Sequence, residues 1–181
     1  MKKIVLILVT AFFVIQTNAQ FTKATLQATG LTCAMCSNAI NKALQKVGFV
    51  ESVKSDIKNS SFNIVFKQNA DVNIDALKDA VEDAGFSVGS LKMTGNFTDV
   101  KIAADEHVKI GKENFHFLDV TNQTLNGEKT IIVVDKNFVT AKQFKKICSL
   151  TKMSCVQTGK SAECCSKGGV ATGARIYHVT I

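Results

Sequence analysis

The 181-residue sequence contains no proline and no tryptophan, and it has a single tyrosine. The absence of proline argues against a thioredoxin-like redox protein, because that fold places a cis-proline beside its reactive cysteines. The sequence also lacks a Ser/His/Asp set, a pair of catalytic carboxylates and a phosphate-binding loop. We therefore expect no enzymatic activity.

Long apolar runs are also absent beyond the first 19 residues, which are typical of a secretory signal. Lys2 and Lys3 form a basic start, residues 4–15 are apolar, and residues 17–19 end the segment with small side chains. The apolar run is too short to span a bilayer, so a membrane anchor is the weaker interpretation. We expect a periplasmic or secreted protein of 162 residues (181 minus 19), without stable membrane insertion after signal cleavage.

The net charge of +7 does not indicate a nucleic-acid partner. Removing Lys2 and Lys3 lowers it to +5, and the remaining basic residues are spread along the chain. Aromatic residues are not interleaved with the basic ones, as nucleic-acid binding would favour. A solvated basic surface is the better interpretation, and no nucleic acid is expected as a partner.

The most informative motif is Gly-Leu-Thr-Cys-Ala-Met-Cys at residues 30–36, between a strand-like and a helix-like segment. Cys33 and Cys36 are three residues apart at the expected start of a helix, where orphan N–H groups favour thiolate over thiol. Such a pair makes a compact site for a soft metal ion. Redox proteins and zinc sites use the same spacing, so the motif alone leaves these alternatives open.

The first half of the chain alternates between strand and helix periodicity. The pattern predicts the order strand, helix, strand, strand, helix, strand, in which Asn73 caps the second helix, Gly85 ends it and a short strand closes at Val88. The expected buried positions are Ala24, Leu26, Ala28, Ile40, Leu44, Val47, Phe62, Ile64, Phe66, Leu77, Ala80, Val81 and Ala84.

Residues 22–91 resemble a heavy-metal-associated domain, the module of copper chaperones, metal-transporting ATPases and the periplasmic mercury-binding protein. The resemblance is carried by the motif at residues 30–36 and by Glu-Asp-Ala-Gly-Phe at residues 82–86. It implies a ferredoxin-like βαββαβ fold, Cys33 and Cys36 as ligands of one soft ion, and a metal-transporting ATPase or another acceptor domain as partner. Leu31 stands where the family usually has Met, a side chain that commonly packs beneath the loop.

Two cysteine ligands suit Cu(I) best, and Hg(II) fits on the same ground, whereas Zn(II) normally needs four ligands or three plus water. Zinc-preferring relatives often carry Asp immediately before the first cysteine, where this chain has Thr32. Phe86 occupies the position of an aromatic residue that packs over the metal loop in similar copper-ATPase domains. The resemblance therefore implies a metallochaperone for Cu(I) transfer or scavenging; a thiol–disulfide redox protein and a mercury or zinc carrier are the alternatives.

The second half is predicted to be mostly β. Strands are expected at residues 95–103, around residues 115–120, at 129–134 after a turn at Asn126-Gly127, and at 175–181, with one helix from a Thr140 cap through Ile147. This order resembles a small OB-like barrel. The fold class is thus α+β, with a signal at 1–19, a metal-binding domain at 20–92 and a β-rich domain at 93–181.

The four remaining cysteines have three competing interpretations. Cys148 or Cys155 forms a structural disulfide with one of the adjacent Cys164 and Cys165; or Met153, Cys155, Cys164 and Cys165 form an accessory soft-metal site; or the thiols are free. The histidines at positions 107, 116 and 178 show no ligand spacing, and we interpret them as ordinary packed or exposed rings.

Overall fold

The computed structural model describes residues 20–31, 33–162, 165 and 170–181, so the predicted signal at residues 1–19 lies outside the described part. In chain order the elements are β1 Gln20–Thr29, α1 Ala34–Gln45, β2 Val50–Asp56, β3 Ser61–Phe66, α2 Ile74–Asp83, β4 Ser87–Ile102, β5 Glu106–Ile110, β6 Glu113–Phe117, β7 Gln123–Val133, α3 Ala141–Cys148, α4 Cys155–Thr158 and β8 Ile176–Thr180. No helix in this part of the chain is both long and apolar enough to cross a bilayer.

The first half has the predicted ferredoxin-like βαββαβ order. β1 pairs antiparallel with β3 on one side and with β4 on the other, and β2 pairs with the outer edge of β3. Ile40 and Leu44 of α1 and Leu77 of α2 are completely buried in the same core as the inward-facing residues of the strands. α2 begins at the predicted cap, where the Asn73 side chain accepts a hydrogen bond from Ala76 N at 3.2 Å.

The second half continues the sheet of the first half. The strand order is β2-β3-β1-β4-β7-β8-β6-β5, with β6 and β8 as the parallel neighbours. β4 runs through the expected boundary at residues 92/93 and pairs with β7 over most of its length. The OB-like barrel is not confirmed, because these strands extend an open sheet, and the order of elements along a sequence does not reveal which strands pair.

Two details of the β prediction were wrong. The short strand at Val88 and the strand at residues 95–103 are one 16-residue strand, β4. Asn126 and Gly127 do not form a turn before a strand but lie within β7, where the register with β4 shifts between Phe97 and Val100. Asp99 N donates a hydrogen bond to Asn126 Oδ1 at 2.8 Å across this bulge. Asn126 and Gly127 therefore belong to a β-bulge between two paired strands and not to a turn.

The last strand is central in its part of the sheet, between β7 and β6. Tyr177 and His178 are therefore as buried as Ile176 and Val179, so both faces of this strand are covered. The predicted helix cap at Thr140 is confirmed: its side chain and that of Gln143 form a reciprocal capping box.

Candidate metal centre

The loop between β1 and α1 is positioned by packing beneath it. Gly30 has a φ of +80°, a conformation that favours glycine, and a Cβ added there would lie 4.0 Å from Phe86 Cδ1. Leu31 is half-buried against the main core. Phe86 therefore lies next to the loop, where the resemblance places an aromatic residue, and Leu31 packs on the core. Thr32 lies outside the described residues.

Cys33 is the N-cap residue of α1. Its sulfur accepts a hydrogen bond from Cys36 N at 3.3 Å, and the two sulfur atoms are 2.7 Å apart. The hydrogen bonds from the side chain and then the backbone of Cys36 lower the pKa of Cys33 below its usual value. The first turn of α1 contains no acidic residue, so nothing there opposes a thiolate at the positive end of the helix.

Both predicted ligands lie at the surface. Cys33 is exposed and Cys36 half-buried, and Met35 between them is 83% exposed. An ion bound to two sulfurs at about 2.3 Å separates them by about 3.8 Å in a tetrahedral and about 4.6 Å in a linear arrangement. The sulfurs must therefore move apart by about 1–2 Å to hold an ion. Rotation of the Cys33 side chain can supply this movement, because the side chain is exposed.

The cysteines of the second half differ from one another in burial. Cys148 is half-buried at the end of α3, whereas Cys155 and Cys165 are completely buried and pack with Met153 in a small apolar cluster. Cys164 lies outside the described residues. No disulfide joins two of the described cysteines, so the predicted bridge to Cys165 is not formed, and the alternative bridge to Cys164 stays a prediction.

The structure brings Cys155 together with two histidines that the sequence analysis set aside. His107 on β5 lies directly opposite His116 on β6, and both contact Cys155 at the start of α4. A usable signal was present in the sequence. If Gly111 and Lys112 are read as a two-residue hairpin turn, the register that follows places residue 107 opposite residue 116.

Comparisons with known proteins concern the first half. The family model described as "Heavy-metal-associated domain" matches residues 25–87. The "Copper chaperone CopZ" of Staphylococcus haemolyticus is 32% identical over 59 residues, which are 33% of this chain and 85% of that protein. The "Probable copper-transporting ATPase HMA5" of Arabidopsis thaliana is 27% identical over 74 residues, 41% of this chain but only 7% of that protein.

Among solved structures, a "copper binding domain from HMA7, a P-type ATPase" is 32% identical, with a TM-score of 0.34, and the match covers 40% of this chain and 92% of that one. This chain spans less than a tenth of the length of the copper-transporting ATPases that it matches.

Proposed function

Because this chain belongs to the heavy-metal-associated domain family through its residues 25–87, we propose that it is an exported carrier of Cu(I). Cys33 and Cys36 bind the ion in the surface loop, and a partner removes it. Export is part of the proposal and rests on the signal-like composition of residues 1–19.

The observation that carries the proposal is a cysteine pair at the surface, at a helix N-terminus, with Cys33 exposed and Cys36 half-buried. The lowered pKa of Cys33 favours the thiolate that a soft ion requires. Two protein ligands leave a coordination position for a third sulfur, so a partner thiolate can attack before either original bond breaks. Met35, 83% exposed beside the site, gives an approaching partner an apolar contact.

Similar proteins and the number of ligands in the loop favour Cu(I) over Hg(II) and Zn(II). Relatives named as copper chaperones and copper-transporting ATPases support copper as the ion and a metal-transporting ATPase, or another acceptor domain, as the partner. Hg(II) also accepts two thiolates. Zn(II) requires further ligands, and no other histidine, cysteine or carboxylate of the described residues forms a cluster of ligand atoms with Cys33 and Cys36.

Copper binding tests the proposal. The reduced protein, titrated anaerobically with Cu(I) against a competing chelator, should bind one ion tightly through the loop. Cys33→Ser/Cys36→Ser should remove this tight site while the circular dichroism spectrum is retained. Cys148→Ser, which changes a cysteine far along the chain at the end of α3, is the matched control and should bind as the parent does. An unchanged number of tight sites in the double variant would contradict the proposal.

A further inference from the structure

The side-chain cluster at the start of α4 has the composition of a second metal site. Cys155 Sγ lies 3.7 Å from His107 Nε2 and 3.7 Å from His116 Nδ1. The three ligand atoms all lie within 4.8 Å of one another. They come from three separate elements, β5, β6 and α4, and the cross-strand register of the β5–β6 hairpin fixes the two histidines face to face.

The distances match those of a coordinated ion. A metal with nitrogen ligands at about 2.0–2.1 Å and a sulfur ligand at about 2.3 Å separates nitrogen from sulfur by about 3.5–3.8 Å for tetrahedral to trigonal angles. Both sulfur–nitrogen distances in the cluster fall in this range. A thiol can make both contacts by hydrogen bonding only if it donates its proton to one ring and accepts from the N–H of the other, as a weak donor and a weak acceptor.

The surroundings of His116 are those of a metal ligand. Its Nε2–H donates to Asp105 Oδ1 at 2.9 Å, which leaves the lone pair of Nδ1 directed to the side of Cys155. A carboxylate on the outer nitrogen is the usual partner of a histidine that binds metal. Burial, and then the neighbouring His107 and His178, lower the pKa of His116 to about 4, so the ring is neutral at pH 7, the form that coordinates.

His107 is the ligand whose ring can turn to bind an ion and beside which the ion can enter. The rings of His107 and His116 stack with centroids 4.3 Å apart and planes 19° apart, so their lone pairs converge on one ion only when one ring turns. His107 is half-buried, whereas His116 and Cys155 are completely buried. The turning ring is therefore His107, and its exposed edge gives an ion a route to the buried sulfur.

The third histidine of the chain lies beside the cluster. The His178 ring stands edge-to-face with that of His116, with centroids 5.1 Å apart. Its Nδ1 is held by Asp135, but its buried Nε2 has no hydrogen-bond partner within the described part of the chain. A buried nitrogen without such a partner is uncommon, and its place here indicates a polar site that the described residues alone do not satisfy.

A nucleophilic triad would use similar contacts, since Cys155, His116 and Asp105 are in the order nucleophile, base and orienting carboxylate. The sulfur of such a triad must reach a substrate. Cys155 has a relative exposure of 0%, so the sulfur is closed to a substrate of ordinary size but within reach of a bare ion that enters beside His107.

This cluster and the cysteine loop are too far apart to share an ion. Phe21 at the beginning of β1 packs on Phe115, the neighbour of His116, with ring centroids 5.8 Å apart. The cysteine loop follows Thr29 at the other end of β1. Eight residues of extended strand span about 26 Å, so an ion at one site cannot reach the other.

We propose that His107, His116 and Cys155 form a second metal site, which binds a closed-shell thiophilic ion, Cu(I) or Zn(II), independently of Cys33 and Cys36. Imidazole and thiolate together suit both ions. The Cys155 thiol loses its proton when the ion binds, and Asp105 acts as a positioning residue through His116. The proposal does not rest on the carrier function of the loop.

The experiment uses the reduced, metal-stripped Cys33→Ser/Cys36→Ser protein, titrated separately with Zn(II) and with Cu(I) against chelators. One ion per chain should bind in at least one titration, and the tighter ion identifies the metal. Adding His107→Ala should abolish this binding, and because His107 is only half-buried the variant should still fold. Cys148→Ser is the control and should change nothing. Co(II) as a probe should give a thiolate charge-transfer band that is lost in Cys155→Ser.

Asp105→Asn separates positioning from simple packing, because it should weaken metal binding about 10–100-fold without changing the number of ions bound. The proposal is overturned if the loop double variant binds neither ion, or if binding survives His107→Ala with the cobalt spectrum unchanged. If the carrier proposal for the loop is wrong, the result is different: the parent protein binds copper tightly, and replacing Cys33 and Cys36 does not change that binding.

Discussion

The contact between Asp75 and Arg175 should be a main electrostatic connection between the two halves of the protein. Arg175 Nε donates to Asp75 Oδ2 at 2.8 Å and Arg175 Nη2 to Asp75 Oδ1 at 3.1 Å, while Tyr177 Oη donates to Asp75 Oδ2 at 3.2 Å. Burial alone would raise the pKa of Asp75, but the hydrogen bonds and charge of Arg175 outweigh it and lower the pKa. The ionised carboxylate therefore stabilises the fold at neutral pH.

Asp75→Asn keeps the side-chain volume but removes the charge and one acceptor. Hydrogen bonds to charged groups contribute about 1.5–3 kcal/mol, and the side chains here are only 30–32% exposed, so a loss of about 2 kcal/mol is expected. For a chain of this size, that lowers the melting temperature by about 4–8 °C. Asp71→Asn is the matched control, because Asp71 also pairs across the two halves, with Lys112, but both side chains are more than 70% exposed.

The control should destabilise the protein much less than Asp75→Asn does, because exposed ion pairs are weak. Both variants are measured by thermal and urea denaturation at pH 7. Equal losses in the two variants, or no loss in Asp75→Asn, would refute the reasoning that burial makes this pair important.

Three further outcomes are expected. Mass-spectrometric alkylation of the reduced, metal-free protein should show a lower midpoint pH for Cys33 than for an ordinary thiol, and Cys36→Ala should raise it, since Cys36 is the main cause of the shift. The unfolding free energy of the metal-free protein should fall as pH drops from 6.5 towards 4, because unfolded His116 binds a proton in this window and the folded ring does not; His116→Gln should reduce the slope. Thr140→Ala should destabilise the protein by about 1 kcal/mol in urea denaturation, whereas Thr140→Ser, which keeps the cap, should not.

The first half was predictable because its signals are local. The alternation of Ala24, Leu26 and Ala28 identifies a strand with one buried face, and all three are buried. The cap at Asn73, like the one at Thr140 in the second half, depends on a side chain and a backbone N–H three residues away, so sequence alone defines it. The cysteine loop is predictable for the same reason, since its two proposed ligands are separated by one turn of helix.

The second half was less predictable because its structure depends on pairing between distant strands. Gly95 suggests the start of a new strand, but a Cβ there would lie 2.6 Å from Gln20 O, so its role is to let β4 pass close to β1. His178 is buried because β8 lies between two strands, which its own alternation does not reveal. Cys155 is 39 residues from His116, and no sequence spacing predicts their contact.

Transfer of copper between proteins tests the carrier function most directly. The Cu(I)-loaded protein is mixed with an acceptor heavy-metal-associated domain, and copper on each is measured after rapid separation. Copper should move at a rate proportional to acceptor concentration and much faster than it dissociates into buffer, while disulfide reduction in an insulin assay should be no faster than with a simple dithiol. Efficient disulfide turnover without copper transfer would contradict the carrier and identify Cys33 and Cys36 as a redox pair.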